Sequence, residues 1–131
     1  MDLKRFHMKL NVHKVKDPLV GPIIIHEMLP DSKLVQGWAR FPGTKMCWHV
    51  WVEDSKKGRL DPSFIDGLEY FQTLPNDEPF DSDPEMVERL KIYNQSPKNY
   101  WNLQPKGIRN KLLTSLKREQ FLDQPCGTTG K

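Results

Sequence analysis

Residues 46–53, Met46-Cys47-Trp48-His49-Val50-Trp51-Val52-Glu53, followed after a charged turn by Gly58-Arg59-Leu60-Asp61-Pro62, carry the most strand-like pattern in the chain. Side chains alternate across a strand, so Met46, Trp48, Val50 and Val52 share one face and Cys47, His49, Trp51 and Glu53 the other. The first face is uniformly apolar and belongs to a core. The second combines a thiol, an imidazole, an indole and a carboxylate, as the wall of a site does.

Reading outward, Asp54 to Gly58 is a turn, and Pro62 stops the following strand because proline has no N–H to give to a ladder. Upstream, Leu34 to Phe41 reads as a strand, with Gly37 marking a bulge or a close approach of another backbone. Pro42 to Lys45 forms the intervening turn. Residues 34–61 are therefore expected as a three-stranded antiparallel meander. Phe6, Met8, Leu10 and Val12 alternate with polar residues, which predicts a further, N-terminal strand. On its polar side His7 and His13 are either a ligand pair or ordinary solvated residues. Ile23 to Ile25 is too short to separate a buried strand from a helical turn.

The second half reads as helical. Ser82 and Glu85 have capping-box spacing around Pro84, so a helix is expected from there to about Asn94, with Met86, Leu90 and Tyr93 on one stripe. Asn99 to Gln104 is an aromatic connector. Pro105 opens a second helix, whose Ile108, Leu112, Leu113 and Leu116 recur at helical spacing up to about Leu122. The expected fold class is α+β: an antiparallel sheet, made of the meander and the N-terminal strand, packed against two C-terminal helices. Residues 1–123 form one domain in this reading, and residues 124–131 a flexible tail.

The 131 residues suffice for one core, and a net charge of +3 is too small to make the whole surface a nucleic-acid glove. Charge is nonetheless segregated. Residues 53–88 hold eleven acidic and three basic side chains, and residues 89–118 eight basic and no acidic ones, so the two regions are expected to attract each other. Cys47 and Cys126 are far apart and fit no zinc spacing, so neither metal nor cofactor is indicated. The charged start resembles no secretory signal and no run is long enough to span a membrane, which places the protein in the cytoplasm with no membrane partner.

His49 and Asp61 are the leading chemical pair. A short turn joins their strands, so they sit within hydrogen-bonding reach if the register at Gly58 keeps them on one face, and on opposite faces if it slips by one residue. A carboxylate against one imidazole nitrogen fixes the tautomer, as an acid–base dyad requires. Without that register His49 is a partly buried histidine satisfied by another acceptor. Trp38, Trp51 and Trp101 are candidate binding residues, for packing or for a groove that takes a peptide, sugar or base. Trp101 among the basic residues Lys98 and Lys106 is a possible stacking site for single-stranded nucleic acid, though no nucleic-acid module accompanies it.

Leu34-Val35-Gln36-Gly37-Trp38, Cys47 to Glu53 and Gly58 to Ser63, in this order and spacing, resemble the second half of transglutaminase-like and papain-like cysteine enzymes, particularly small bacterial and phage members. The resemblance implies acyl transfer of the peptidase type, with His49 as general base and Asp61 as its orienting acid. In that family the nucleophilic cysteine heads a helix upstream of the histidine strand, and this chain has no cysteine before Cys47. Cys47 stands as the substitute nucleophile, two residues from His49 on the same face, or as a packing residue. Cys126 would serve only in a permuted arrangement. A degenerate, non-catalytic member that grips a peptide or protein partner through its aromatic surface is the alternative, followed by a nucleic-acid-binding protein that uses the basic helices.

Overall fold

The computed structural model describes residues 2–63 and 65–118. The tail at 124–131, Cys126 and the end of the last helix expected near Leu122 lie outside the described residues. The meander is present: β1 (Ser32–Arg40), β2 (Met46–Asp54) and β3 (Gly58–Leu60) are antiparallel neighbours. Two short strands complete the sheet. β4 (Glu69–Phe71) lies antiparallel to β1, giving the order β3-β2-β1-β4, and β5 (Phe80–Asp81) pairs with the start of β2 in parallel. The fold is α+β, and no helix among the described residues is long and apolar enough to cross a membrane.

The N-terminal segment corrects the expectation of a strand. Leu3–Val12 is a helix, α1, capped by Asp2, whose carboxylate accepts from the Arg5 N–H at 3.0 Å. Phe6 is buried and Leu10 packs against the core, while Met8 and Val12, which alternation would bury, are exposed. Ile23 to Ile25 lies inside a second helix, α2 (Val20–Met28), in which Pro22 sits in the first turn, where no hydrogen bond from its nitrogen is needed. The C-terminal helices share the core of the sheet as expected, and the N-terminal helices join them. α2, from the N-terminal half, lies directly against β1 and β2, and α5 (Ile108–Arg118) packs on α1 and α2.

Helix α3 (Pro84–Gln95) starts where expected and buries the stripe Met86, Leu90 and Tyr93. Its cap is Asp83 rather than Ser82: the Asp83 side chain accepts from the Met86 N–H at 3.2 Å. The aromatic connector is itself a short helix, α4 (Pro97–Asn102). α2, α3 and α5 close one core with Val50, Val52 and Leu60 of the sheet.

The expected attraction between the two regions is present where Arg89 lies 3.4 Å from Glu85, and further pairs run elsewhere. Arg89 and Arg109 of the basic segment reach Asp17 and Glu27, which belong to the N-terminal half, at 3.1 and 2.8 Å. Other acidic residues of the central region turn to the β1–β2 hairpin, where Glu69 and Glu78 pair with Arg40 and Asp81 with Lys45.

Candidate functional site

β2 is central to the site because its register decides which side chains meet. Val52 lies opposite Leu60 and Glu53 opposite Arg59, so Asp61 continues on the face that carries His49 and Trp51. On the other side of β2, His49 lies opposite Gly37 and Trp51 opposite Val35. Gly37 is required by space. A Cβ there would come within 2.5 Å of the Phe71 carbonyl oxygen and 2.7 Å of the Trp51 ring. With no side chain at 37, the Trp51 indole lies across the sheet, 1% exposed, and its Nε1–H donates to Glu53 at 3.0 Å.

Trp51 then supports the neighbouring rings. Tyr70 stands edge-on to it at 5.1 Å between centroids and His49 stacks at 6.1 Å. Tyr70 belongs to β4, which β2 and β1 separate from β3, yet its hydroxyl reaches Asp61. The sheet curls around the Trp51 ring and brings its two edges together. Arg59 covers the outer side of Tyr70, with its guanidinium carbon 3.8 Å from the ring centroid.

Asp61 collects four hydrogen bonds. His49 Nε2 lies 2.8 Å from Oδ2 and the Tyr70 hydroxyl donates to the same oxygen at 2.6 Å, while the Ser63 N–H and Oγ donate to Oδ1 at 3.0 and 2.7 Å. Burial by itself would raise the carboxyl, but the hydrogen bond and charge of His49, with Tyr70 and Ser63, outweigh it and hold Asp61 at about 2. Asp61 is therefore ionised at neutral pH and can only accept, so Nε2 of His49 donates to it, and in the neutral imidazole the lone pair then falls on Nδ1. The Tyr70 hydroxyl is pushed well above the usual phenol range by its burial and by its bond to Asp61.

The pair borders a cavity of about 400 Å³ between α1, the start of α2 and β2. Its walls are largely apolar and include Leu10, Leu19, Trp48, Val50 and Met86, together with His49, Asp61 and Ser63. Asp17 also lines it, but accepts from Arg89, Tyr100, Gln104 and the Leu19 N–H, so its charge is spent within the fold. The first turn of α2 contributes Gly21 and Pro22 to the lining. A Cβ at Gly21 would lie 3.1 Å from Pro62 Cγ, so the helix start packs directly beside the Asp61-Pro62 step.

The structure thus brings His49 and Asp61 together with Trp51, which is buried beside them, and separates Cys47, Trp38 and Trp101 from the pair. Cys47 is exposed, its Sγ lies 3.9 Å from the Lys45 carbonyl oxygen, and it is not among the cavity-lining residues. Trp38 is half-buried and packs edge-on to Phe80 at 5.1 Å. Trp101 lies with the helices, where Nε1 donates to Glu27 at 3.0 Å and Arg109 approaches its face. Lining tryptophan besides His49 is Trp48. His7 is not paired with His13; its Nδ1 lies 3.2 Å from the Pro62 carbonyl oxygen. No group of three or more His, Cys, Asp or Glu among the described residues is placed to hold a metal ion.

Tyr70 and Ser63 are the site residues that sequence reasoning missed. Ser63 was within reach of a local signal, since a side chain two residues after an aspartate commonly bonds back to it. Tyr70 carries no such signal, because only the curl of the sheet brings β4 to the end of β3. Compared with protein-family models, curated proteins and solved structures, the chain matches none.

Proposed function

We infer that the chain is a non-catalytic binding domain of transglutaminase-like or papain-like character, which holds a peptide segment of a partner protein in the cavity beside His49 and Asp61. The observation that carries this reading is the first turn of α2. It is the helix upstream of the histidine strand, it lines the same cavity as His49, and it brings Leu19, Gly21 and Pro22 there. The resemblance calls for a thiol at the head of that helix, and none of these side chains can attack a carbonyl. Ser63 does not replace it, since its hydroxyl donates to Asp61 and not to His49. The oriented imidazole then serves recognition: Nδ1 accepts a hydrogen bond from the bound segment, and the apolar walls take its side chains.

A thiol-dependent acyl transfer remains the second reading, favoured by the position of Cys47 two residues from His49 on one strand face. One experiment separates the two. In a Cys126→Ser background, Cys47 is labelled with iodoacetamide at pH 7, with and without His49→Ala. The binding reading expects the rate of an ordinary exposed thiol, unchanged by the substitution. A rate about tenfold or more above that, lost in His49→Ala, overturns it.

A further inference from the structure

Among the described residues, the outer edge of β2 is paired at both ends and open between them. Met46 N–H donates to the Pro79 carbonyl at 3.3 Å, so even-numbered residues of β2 turn their peptide groups toward this edge and odd-numbered ones toward β1. β5 pairs with Met46 and Cys47 and ends at Asp81. β3 pairs with Val52 to Asp54 and ends at Leu60; Pro62, which would lie opposite Val50, has no N–H, and its carbonyl oxygen lies 3.2 Å from His7 Nδ1. Both peptide groups of Val50 are left with no strand partner among the described residues. Val50 is 5% exposed, and Trp48, His49 and Val50 all line the cavity. Buried backbone groups are otherwise almost always paired, so the edge at Val50 suits an occupant that supplies one acceptor and one donor at strand spacing.

We propose that the partner segment binds as an added β-strand, an extended peptide whose main chain pairs with Val50 in the gap between β3 and β5. The proposal rests on the reading of the cavity as a peptide site and specifies how the peptide lies there. At about 3.3 Å per residue the open edge engages roughly three residues. Their side chains alternate. One face meets Leu19, Val50 and Met86 and takes an apolar residue; the other lies beside His49, whose Nδ1 accepts from a polar one. Main-chain pairing supplies affinity, and these two surfaces supply selectivity.

The test uses capped pentapeptides that alternate Thr with Leu, Val or Phe, titrated into the isotope-labelled chain, with amide hydrogen exchange read residue by residue. Strand addition slows exchange of the Val50 N–H by about tenfold or more and leaves the Trp51 N–H, which points to β1, unchanged. N-methylation at alternate peptide residues weakens binding by about tenfold, and at the intervening ones leaves it intact. If a peptide shifts Leu19 and Met86 but leaves Val50 exchange unaltered and tolerates N-methylation at every position, strand addition is overturned while peptide binding stands. If no member of the series perturbs the cavity at millimolar concentration, both are overturned.

Discussion

Replacing Asp61 with asparagine keeps the shape of the site and removes its charge. Four donors converge on the carboxylate, and the shift of its pKa from 3.8 to about 2 expresses how much the folded protein prefers the ion. A shift of nearly two pH units at about 1.4 kcal/mol each gives roughly 2 kcal/mol of stability at neutral pH. Because the folded pKa is depressed, that contribution is complete above the unfolded value near 4 and is lost as pH falls through about 2. Asp61→Asn should therefore lie about 2 kcal/mol below the parent at pH 7, lowering the urea midpoint by about 1 M for an m-value of about 2 kcal/mol/M. The gap should close as pH falls from 4 to 2, because protonation makes the parent resemble the variant. Urea titrations of both proteins across this range give the difference, in which the remaining carboxylates cancel. A gap that stays constant with pH, or no gap at pH 7, refutes the account of Asp61 as a carboxylate stabilised by its four donors.

The three tyrosines, Tyr70, Tyr93 and Tyr100, are all raised above the phenol range, by burial first and then by Asp61, Glu27 and Asp17 respectively. Their preference for the neutral form stabilises the fold below about pH 10 and is lost as pH rises through the folded values. Absorbance near 295 nm should accordingly show no tyrosinate in the native protein up to about pH 11 and ordinary titration near pH 10 in urea; a native-state phenolate near pH 10 contradicts it. Gly37→Ala should cost about 3 kcal/mol, since the new methyl meets the Phe71 carbonyl and the Trp51 ring. Its unfolding midpoint checks this, and a loss under about 0.5 kcal/mol would mean that Trp51 does not need the space above Gly37.

The meander was legible in the sequence because its determinants are local. Alternation from Met46 to Glu53, turn residues between the strands and the stop at Pro62 fix the three strands, while the parity that puts His49 and Asp61 on one face is read from the register of β2 and β3. The start of α3 was legible for the same reason, with an error of one residue in its cap. The N-terminal helix was not. Phe6 and Leu10 are four residues apart, which satisfies the two-residue repeat of a strand and nearly satisfies the 3.6-residue turn of a helix, so pattern alone does not separate them. Burial separates them: Phe6 and Leu10 face the core, and Met8 and Val12 face outward.

By itself the sequence determined the three strands of the meander and the two faces of β2, and it narrowed the histidine–aspartate pair to a question of register. Only the tertiary structure decided what surrounds the pair: the sheet curls over Trp51 and delivers Tyr70 to Asp61, and α2 presents its first turn to the same cavity. These outcomes depend on long-range packing, on Gly37 leaving room for an indole and on α2 seating against Pro62, and no repeat along the chain encodes them. The edge left open at Val50 among the described residues has the same origin, because it lies where β3 and β5, distant in sequence, both stop short along one strand.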